Sequence, residues 1–383
     1  LSVQLGLSFA VMIVPTLLIG ATFHVMIAAV GRGLDRLGRD IGLVYGAKTL
    51  GTIVGAVMAG FFLVPWLGIR GTVHAAAAAN LVAGLGLLLA ASSGLRARAW
   101  MAGSAALFVA LVLALPGWDP RAMTSGVAVY ARDYLKNDRA FQEAQAAREV
   151  LFYSEGISTT VSVERTSEIL GVRVNGKVDA SNAVDMPTQI LVGHLGALLQ
   201  PAPRRALIVG LASGVTIGAV AAHPLEVIEV AELEPAMVQV AGFFERENRH
   251  ALADPRVRVV IADGRHVVSA AAEPYDLIVS EPSNPWIAGI ASLFTRDFYQ
   301  LARSRLSPSG VMVQWLQGYN IFTDDVRMVV RTFQEAFPHT SVWTAASGDF
   351  ILVGTPEPLR VDFRIIRDRL ARSPALREDF DRF

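Results

Sequence analysis

The chain has 383 residues, of which 52% are hydrophobic and 18% charged, and its mean hydropathy is +0.43; an ordinary globular protein carries about 25% charged residues. Basic and acidic side chains balance at 34 each, and there is no cysteine. The balance excludes steering toward nucleic acid by net charge, and the missing cysteine excludes disulfides, thiolate catalysis and cysteine-ligated metal centres.

The average conceals a split. Residues 1–119 hold seven basic and three acidic residues, which leaves 27 basic and 31 acidic for 120–383. Four apolar runs lie at about 3–30, 42–67, 72–94 and 99–116. Each approaches the roughly 20 residues that cross a bilayer. One run would serve as a secretory leader, but four do not. A soluble bundle is excluded because the runs have no polar face for water. Residues 1–118 are therefore expected to form about four transmembrane helices. Pro15 is expected to kink the first. Gly51, Gly55 and Ala59 read as a helix-packing stripe, and Lys48 as a residue that snorkels from the start of the second span. Arg32–Asp40 and Ser92–Arg98 place five arginines on one side, against Arg70, Arg121, Arg132 and Lys136 on the other, so the positive-inside rule decides little. The chain begins at Leu1 rather than Met, which leaves earlier spans open.

Pro116, Gly117 and Pro120 end the last run. Residues 119–149 read as a linker helix, with Arg121 to Arg148 running along the membrane surface or over the next domain. In 150–195, Val161, Val163, Leu170, Val172 and Val174 alternate with polar residues, and Asn175-Gly176 signals a turn. This predicts a small antiparallel β domain.

In 196–357 strands and glycine turns repeat. A strand at 206–209 leads into Gly210–Gly214 and a helix through Ala222. The glycines allow a tight turn and close approach to a ligand. Strands Val227–Val230, Val257–Ile261, Leu277–Val279 and Val311–Trp315 follow. Glu232, Asp263 and Glu281 each fall at a strand's carboxyl end, where open α/β sheets bind ligands. Glu232 is placed to hold ribose hydroxyls and Asp263 an adenine amino group. Glu234, separated from Glu232 by an apolar residue, is expected to face elsewhere. Trp286 sits in a candidate lid bracketed by Pro282, Pro285 and Gly289; Trp315 and Tyr319 are candidate acceptor-pocket walls, and His266 is expected to pack. The seven histidines show no metal-ligand spacing. Val342-Trp343 and Phe350–Val353 form a hairpin around Ser347-Gly348, and 358–383 a C-terminal helical tail. The fold class expected is an α-helical membrane region followed by α/β. The α/β part is an S-adenosylmethionine-dependent methyltransferase-like (Rossmann-like) doubly wound sheet with the small β domain before it.

These residues resemble the spermidine synthase family of polyamine aminopropyltransferases, and more narrowly its membrane-fused bacterial members. The motifs are Gly210–Gly214, Glu232-Leu233-Glu234, Asp263-Gly264, Tyr275-Asp276, Leu293-Phe294, Phe298-Tyr299, Leu306 to Gly310 with Gln314, Phe337-Pro338 and Ser347-Gly348. The resemblance implies aminopropyl transfer from decarboxylated S-adenosylmethionine to putrescine or another amine in polyamine biosynthesis, with no metal. It implies Glu281 as the catalytic carboxylate and Gly210, Ser213, Gly214, Glu232, Asp263 and Gly264 as donor-binding residues. Gln189, Asn284, Trp286 and Gln314 are the substrate-binding residues it implies, and a homodimer the assembly.

The sequence departs from the family where cations are gripped. Ser213 stands for an aspartate, and the Asp-x-x-Asp loop is Glu281 to Asn284. A Tyr-His-Glu stretch is Thr188-Gln189-Ile190, and a tyrosine before Pro-Ser-Gly is Ala345. Three readings stay open: the aminopropyltransferase, a methyltransferase using S-adenosylmethionine itself, and a transporter or polyamine sensor whose nucleoside-binding domain has lost chemistry. Expected partners are an amine substrate and the lipid bilayer. No basic-aromatic pattern points to nucleic acid. The expected location is the inner membrane, multi-pass, with the soluble domain in the cytoplasm, where adenosyl donors are made.

Overall fold

The computed structural model describes residues 2–30, 36–91, 94–115, 117–136, 139–156, 158–287, 289–345 and 348–382. Arg32, Asp35, Ser92, Pro116 and Ser347 of the sequence reading lie outside the described residues. The chain divides into two compact units, Leu1–Ala114 and Leu115–Phe383.

The first unit is helical: α1 (Ser2–Val30), α2 (Leu37–Met58), a π-turn at Ala59–Leu63, α3 (Val64–Ala91) and α4 (Leu95–Ala114). Its apolar side chains point outward on all sides, as at Leu17, Leu43, Trp66 and Leu113. A helix apolar all round has no face to turn to water. The segments Leu5–Ala28 and Leu37–Gly86 are long and apolar enough to cross a membrane, with mean hydropathies of 2.1 and 2.0. The second is interrupted at Gly68, whose φ of 70° and ψ of 174° leave helical space. Only glycine takes that conformation without strain, so the break separates 37–67 from 69–91. α1 continues through Pro15. Lys48 Nζ lies 5.2 Å from the centre of the Phe23 ring of α1, so the lysine docks on an aromatic face rather than extending alone. The glycine stripe differs from expectation: among the described residues, a Cβ at Gly51 or Gly55 would meet no atom within 4 Å.

The second unit opens with α5 (Pro120–Met123), α6 (Val127–Leu135) and α7 (Arg139–Ala146). These run over a four-stranded antiparallel meander of β1 (Glu149–Glu155), β2 (Thr160–Thr166), β3 (Ile169–Val174) and β4 (Lys177–Ser181). Alternation buries Val161, Val163 and Val172 on one face. It also buries Glu164 on the other, where Arg148 Nη1 (2.7 Å) and Arg173 Nε (2.8 Å) pair with it and the Thr124 hydroxyl donates to it. The linker is thereby fastened to this sheet, and Tyr130 accepts a bond from Val178 N at 3.1 Å.

After α8 (Met186–Leu199) comes the main sheet. Its strands are β5 (Arg205–Val209), β6 (Val227–Glu232), β7 (Val257–Ile261), β8 (Tyr275–Ser280), β9 (Leu306–Gln317), β10 (His339–Thr344) and β11 (Asp349–Thr355). The order is β10-β11-β9-β8-β5-β6-β7. β5 to β9 are parallel, and β11 inserts antiparallel between β9 and β10. Parallel strands covered on both faces read as continuous apolar runs, as Ala206 to Val209 and Leu277 to Val279 do. α9 (Val215–Ala221), α10 (Ala236–Gly242), α11 (Gly264–Ala270), α12 (Arg296–Ser304) and α13 (Thr323–Ala336) are the crossovers, and α14 (Phe363–Arg372) and α15 (Pro374–Arg382) close the chain. This is the methyltransferase-like, Rossmann-like sheet expected from the sequence. Inside it, buried His194 of α8 lies 3.0 Å from His223 and 2.9 Å from Asp379 of α15. Burial and the neighbouring His194 push His223 down to about 3, so its ring is neutral.

Candidate functional site

The strand order reverses between β5 and β8, so the loops leaving their carboxyl ends diverge and open a crevice. Gly210 begins the β5 loop with φ 107°, and a Cβ there would come within 2.7 Å of the Glu281 carbonyl oxygen. Glycine is what lets the two loops touch. A cavity of about 290 Å³ opens beside them.

One end suits a nucleoside. Glu232 accepts hydrogen bonds from Leu211 N (3.0 Å) and Glu234 N (2.8 Å). Those bonds fix its carboxylate at the cavity wall, while burial raises its pKa. Glu234 lines the same cavity, against the expectation that it faces elsewhere. Residues two apart share a side of an extended chain, and the backbone bond to Glu232 keeps them together. Asp263 caps α11 by accepting from Arg265 N at 2.7 Å and stands at the rim, with Gly264 beneath it against Val209.

The other end is acidic. Burial pushes the Glu281 carboxyl up to about 8, the Asp185 and Asp349 carboxylates add to the shift, and the Thr216 hydroxyl opposes it. Asp185 takes its bonds from Ser181 N (2.6 Å), the Ser181 hydroxyl and Gln189 Nε2 (3.0 Å). Burial also raises its pKa. Asp349 accepts from the Thr188 hydroxyl (2.8 Å) and Trp315 Nε1 (3.2 Å). All these donors are neutral, so the charge of this corner is not balanced by them. Ser213 donates to Gln189 Oε1, which links the glycine loop to α8.

The cavity brings together Gly210, Ser213, Glu232, Asp263, Gly264, Glu281 and Gln189 of the sequence reading. Gly214 lies behind it as the left-handed cap of α9, with φ 77°. Asn284, Trp286 and Gln314 do not line it. The alternation that turns Trp315 into the cavity turns Gln314 to the opposite face, where its amide donates to the Ser280 (3.3 Å) and Trp315 (2.9 Å) carbonyls. Asn284 is fully buried within its loop, and Trp286 is 44% exposed. Tyr319 lies outside the lining, with its ring 5.7 Å from Lys177 Nζ, and His266 is exposed.

Sequence reasoning missed Asp179, Ser283, Asp185 and Asp349. Asp179 and Ser283 line the cavity and are joined by a 2.7 Å bond from the serine hydroxyl. Asp179 sits on the small sheet, more than 100 residues from its partner, and no local pattern announces that pairing.

Residues 186–347 match the family profile described as "Spermine/spermidine synthase domain". The chain is 24% identical over 167 residues to a spermidine synthase of Dictyostelium discoideum, covering 43% of this chain and 58% of that one. It is 27% identical over 212 residues to a polyamine aminopropyltransferase of Aeropyrum pernix, covering 54% of this chain and 67% of that one. The chain thus spans roughly three-fifths to two-thirds of these relatives. Among solved structures, a spermidine synthase in complex with the transition state analogue AdoDATO superposes with a TM-score of 0.52 at 18% identity, over 59% of this chain and 78% of that one. The spermidine synthase of Thermotoga maritima gives 0.51 at 19% identity, over 59% of this chain and 78% of that one. At that identity the likeness is one of fold. The cavity is completed by Ser158, Thr159, Asn175 and Asp179, which precede the matched residues.

Proposed function

We propose that this chain is a membrane-bound aminopropyltransferase-like enzyme that passes an aminopropyl group from decarboxylated S-adenosylmethionine to an amine, putrescine among the candidates. The observation that carries the reading is Glu281: a buried carboxyl at the strand-order switch, abutting Gly210, with its pKa raised to about 8. A base should titrate near the working pH. The relatives named polyamine aminopropyltransferase and the bound AdoDATO in a structural neighbour support the same chemistry.

In this reading Glu232 holds the ribose hydroxyls, Asp263 the adenine amino group, and the Gly210 turn admits the donor's backbone-hugging edge. The donor supplies a sulfonium whose adjacent propyl carbon is electrophilic. The acceptor nitrogen's lone pair forms the C–N bond as the C–S bond breaks, and that electron pair neutralises the sulfur, giving methylthioadenosine. Glu281 takes the proton that the nitrogen sheds. Asp185 and Asp349 beside it favour cationic species in this corner, and closure around both reactants adds proximity.

We further infer that residues 1–118 span the membrane as about four helices. Leu37–Gly86 is 50 residues long, enough for two crossings at about 20 each, and Gly68 divides it. The linker 119–149, the β domain 150–195, the synthase domain 196–357 and the tail 358–383 would then face the cytoplasm, at the inner membrane, as a homodimer. Full-length protein in lipid nanodiscs, given decarboxylated S-adenosylmethionine and a panel of amines, tests the reading. Methylthioadenosine release that falls on Glu281→Gln supports it, and no release with any amine defeats it. Ser213, with a neutral hydroxyl directed to Gln189, favours a second reading as a methyltransferase; tighter binding of S-adenosylmethionine than of its decarboxylated form would select it.

A further inference from the structure

The β4 side of the cavity carries an ammonium of the protein's own. Lys177 at the start of β4 is 2% exposed. Its Nζ pairs with Asp179, donates to the Val178 carbonyl at 3.0 Å and lies 5.7 Å from the centre of the Tyr319 ring. A carboxylate, a carbonyl and an aromatic face are the groups by which a cavity holds an alkylammonium ligand. Here they hold a tethered one. Asp179 also accepts from the Ser283 hydroxyl at 2.7 Å, and both residues line the cavity that contains Glu281. The cavity carboxylate on the β4 side is thus already matched by a cation, whereas among the described residues the hydrogen bonds to Glu281, Asp185 and Asp349 come from neutral donors.

We propose that Lys177 is a specificity-determining residue: its ammonium fills the seat at Asp179 that the second amino group of a diamine would need, and so restricts the acceptor to amines with one cationic nitrogen at that end. The proposal rests on the amine-transfer reading and narrows its substrate class. A lysine that served only to stabilise the fold would affect all acceptors alike; a seat-filling lysine separates them.

The test compares butylamine with 1,4-diaminobutane, by calorimetric binding and by methylthioadenosine release, on full-length protein in nanodiscs. Wild type is expected to bind butylamine at least as tightly as 1,4-diaminobutane. Lys177→Met keeps the stem but removes the charge and frees Asp179. It is expected to improve the diamine over the monoamine by about ten- to a hundredfold, the scale of one hydrogen bond to a charged group. The double variant Lys177→Met/Asp179→Asn carries no uncompensated charge, so it folds even if the single variant does not, and it is expected to return to parity. A wild type that already favours the diamine by tenfold, a Lys177→Met that weakens both amines equally, or no amine binding to any variant overturns the proposal. Should neither amine be turned over, the transfer reading fails, and the binding ratio still judges Lys177.

Discussion

Replacing Glu281 with glutamine removes the buried acid while keeping its shape. A carboxyl moved from its ordinary 4.5 to about 8 favours its neutral form by about 5 kcal/mol at about 1.4 kcal/mol per pH unit, an upper bound because the group opens onto the cavity. The sign follows from the direction. Below pH 4.5 the group is protonated in both folded and unfolded chains and costs nothing. Between 4.5 and about 8 the unfolded chain ionises while the folded one keeps its proton, so stability falls as pH rises, and the loss is complete above 8. Glutamine has no such slope. Thermal unfolding in nanodiscs between pH 5 and 9 should therefore show Glu281→Gln gaining on wild type as pH rises. Activity moves oppositely: at pH 7 about a tenth of the wild-type sites hold the carboxylate, turnover climbs toward pH 8, and the variant loses about 10²- to 10⁴-fold. Parallel stability–pH curves for the two proteins would refute the buried-acid argument.

Gly210→Ala forces a Cβ to within 2.7 Å of the Glu281 carbonyl at φ 107°; calorimetry should find donor binding lost and the Tm lowered. Glu232→Gln keeps one of the two backbone bonds that fix the side chain. Donor affinity, read by the same titration, should weaken about ten- to a hundredfold, with amine binding unchanged. Arg148→Ala leaves Glu164 buried with Arg173 as its remaining cation. Chemical unfolding should report a loss of about 3 kcal/mol, with activity per folded molecule retained.

The convergence of Gly210, Glu232, Asp263 and Glu281 on one cavity was legible because these residues follow strands. Gly210, Glu232, Asp263 and Glu281 each mark the end of an apolar run, and the doubly wound topology carries such ends to one edge. The acidic surroundings of Glu281 were not. Asp179 lines the cavity from the small sheet, while the charges near Glu281 come from Asp185 at that sheet's exit and Asp349 on the inserted antiparallel strand. Such pairings depend on how separately patterned segments pack, which periodicity does not encode. Gln314 shows the converse: a residue with the right motif neighbours is turned away by the two-residue alternation of β9. In the apolar unit the four runs were visible from hydropathy, while the π-turn at Ala59–Leu63 left no mark in it.

The His194–Asp379 contact bears on the order in which the protein is made. Its partners are 185 residues apart, and Asp379 belongs to α15. Synthesis proceeds from the N-terminus at about 5–20 residues per second, so the apolar helices emerge long before α15 does. Until then His194 lacks the Asp379 acceptor, and α8, the helix that carries Gln189, is one bond short of its native setting. The packing beneath α8 is therefore completed only after α15 has been made, and chains released before it should lack that contact.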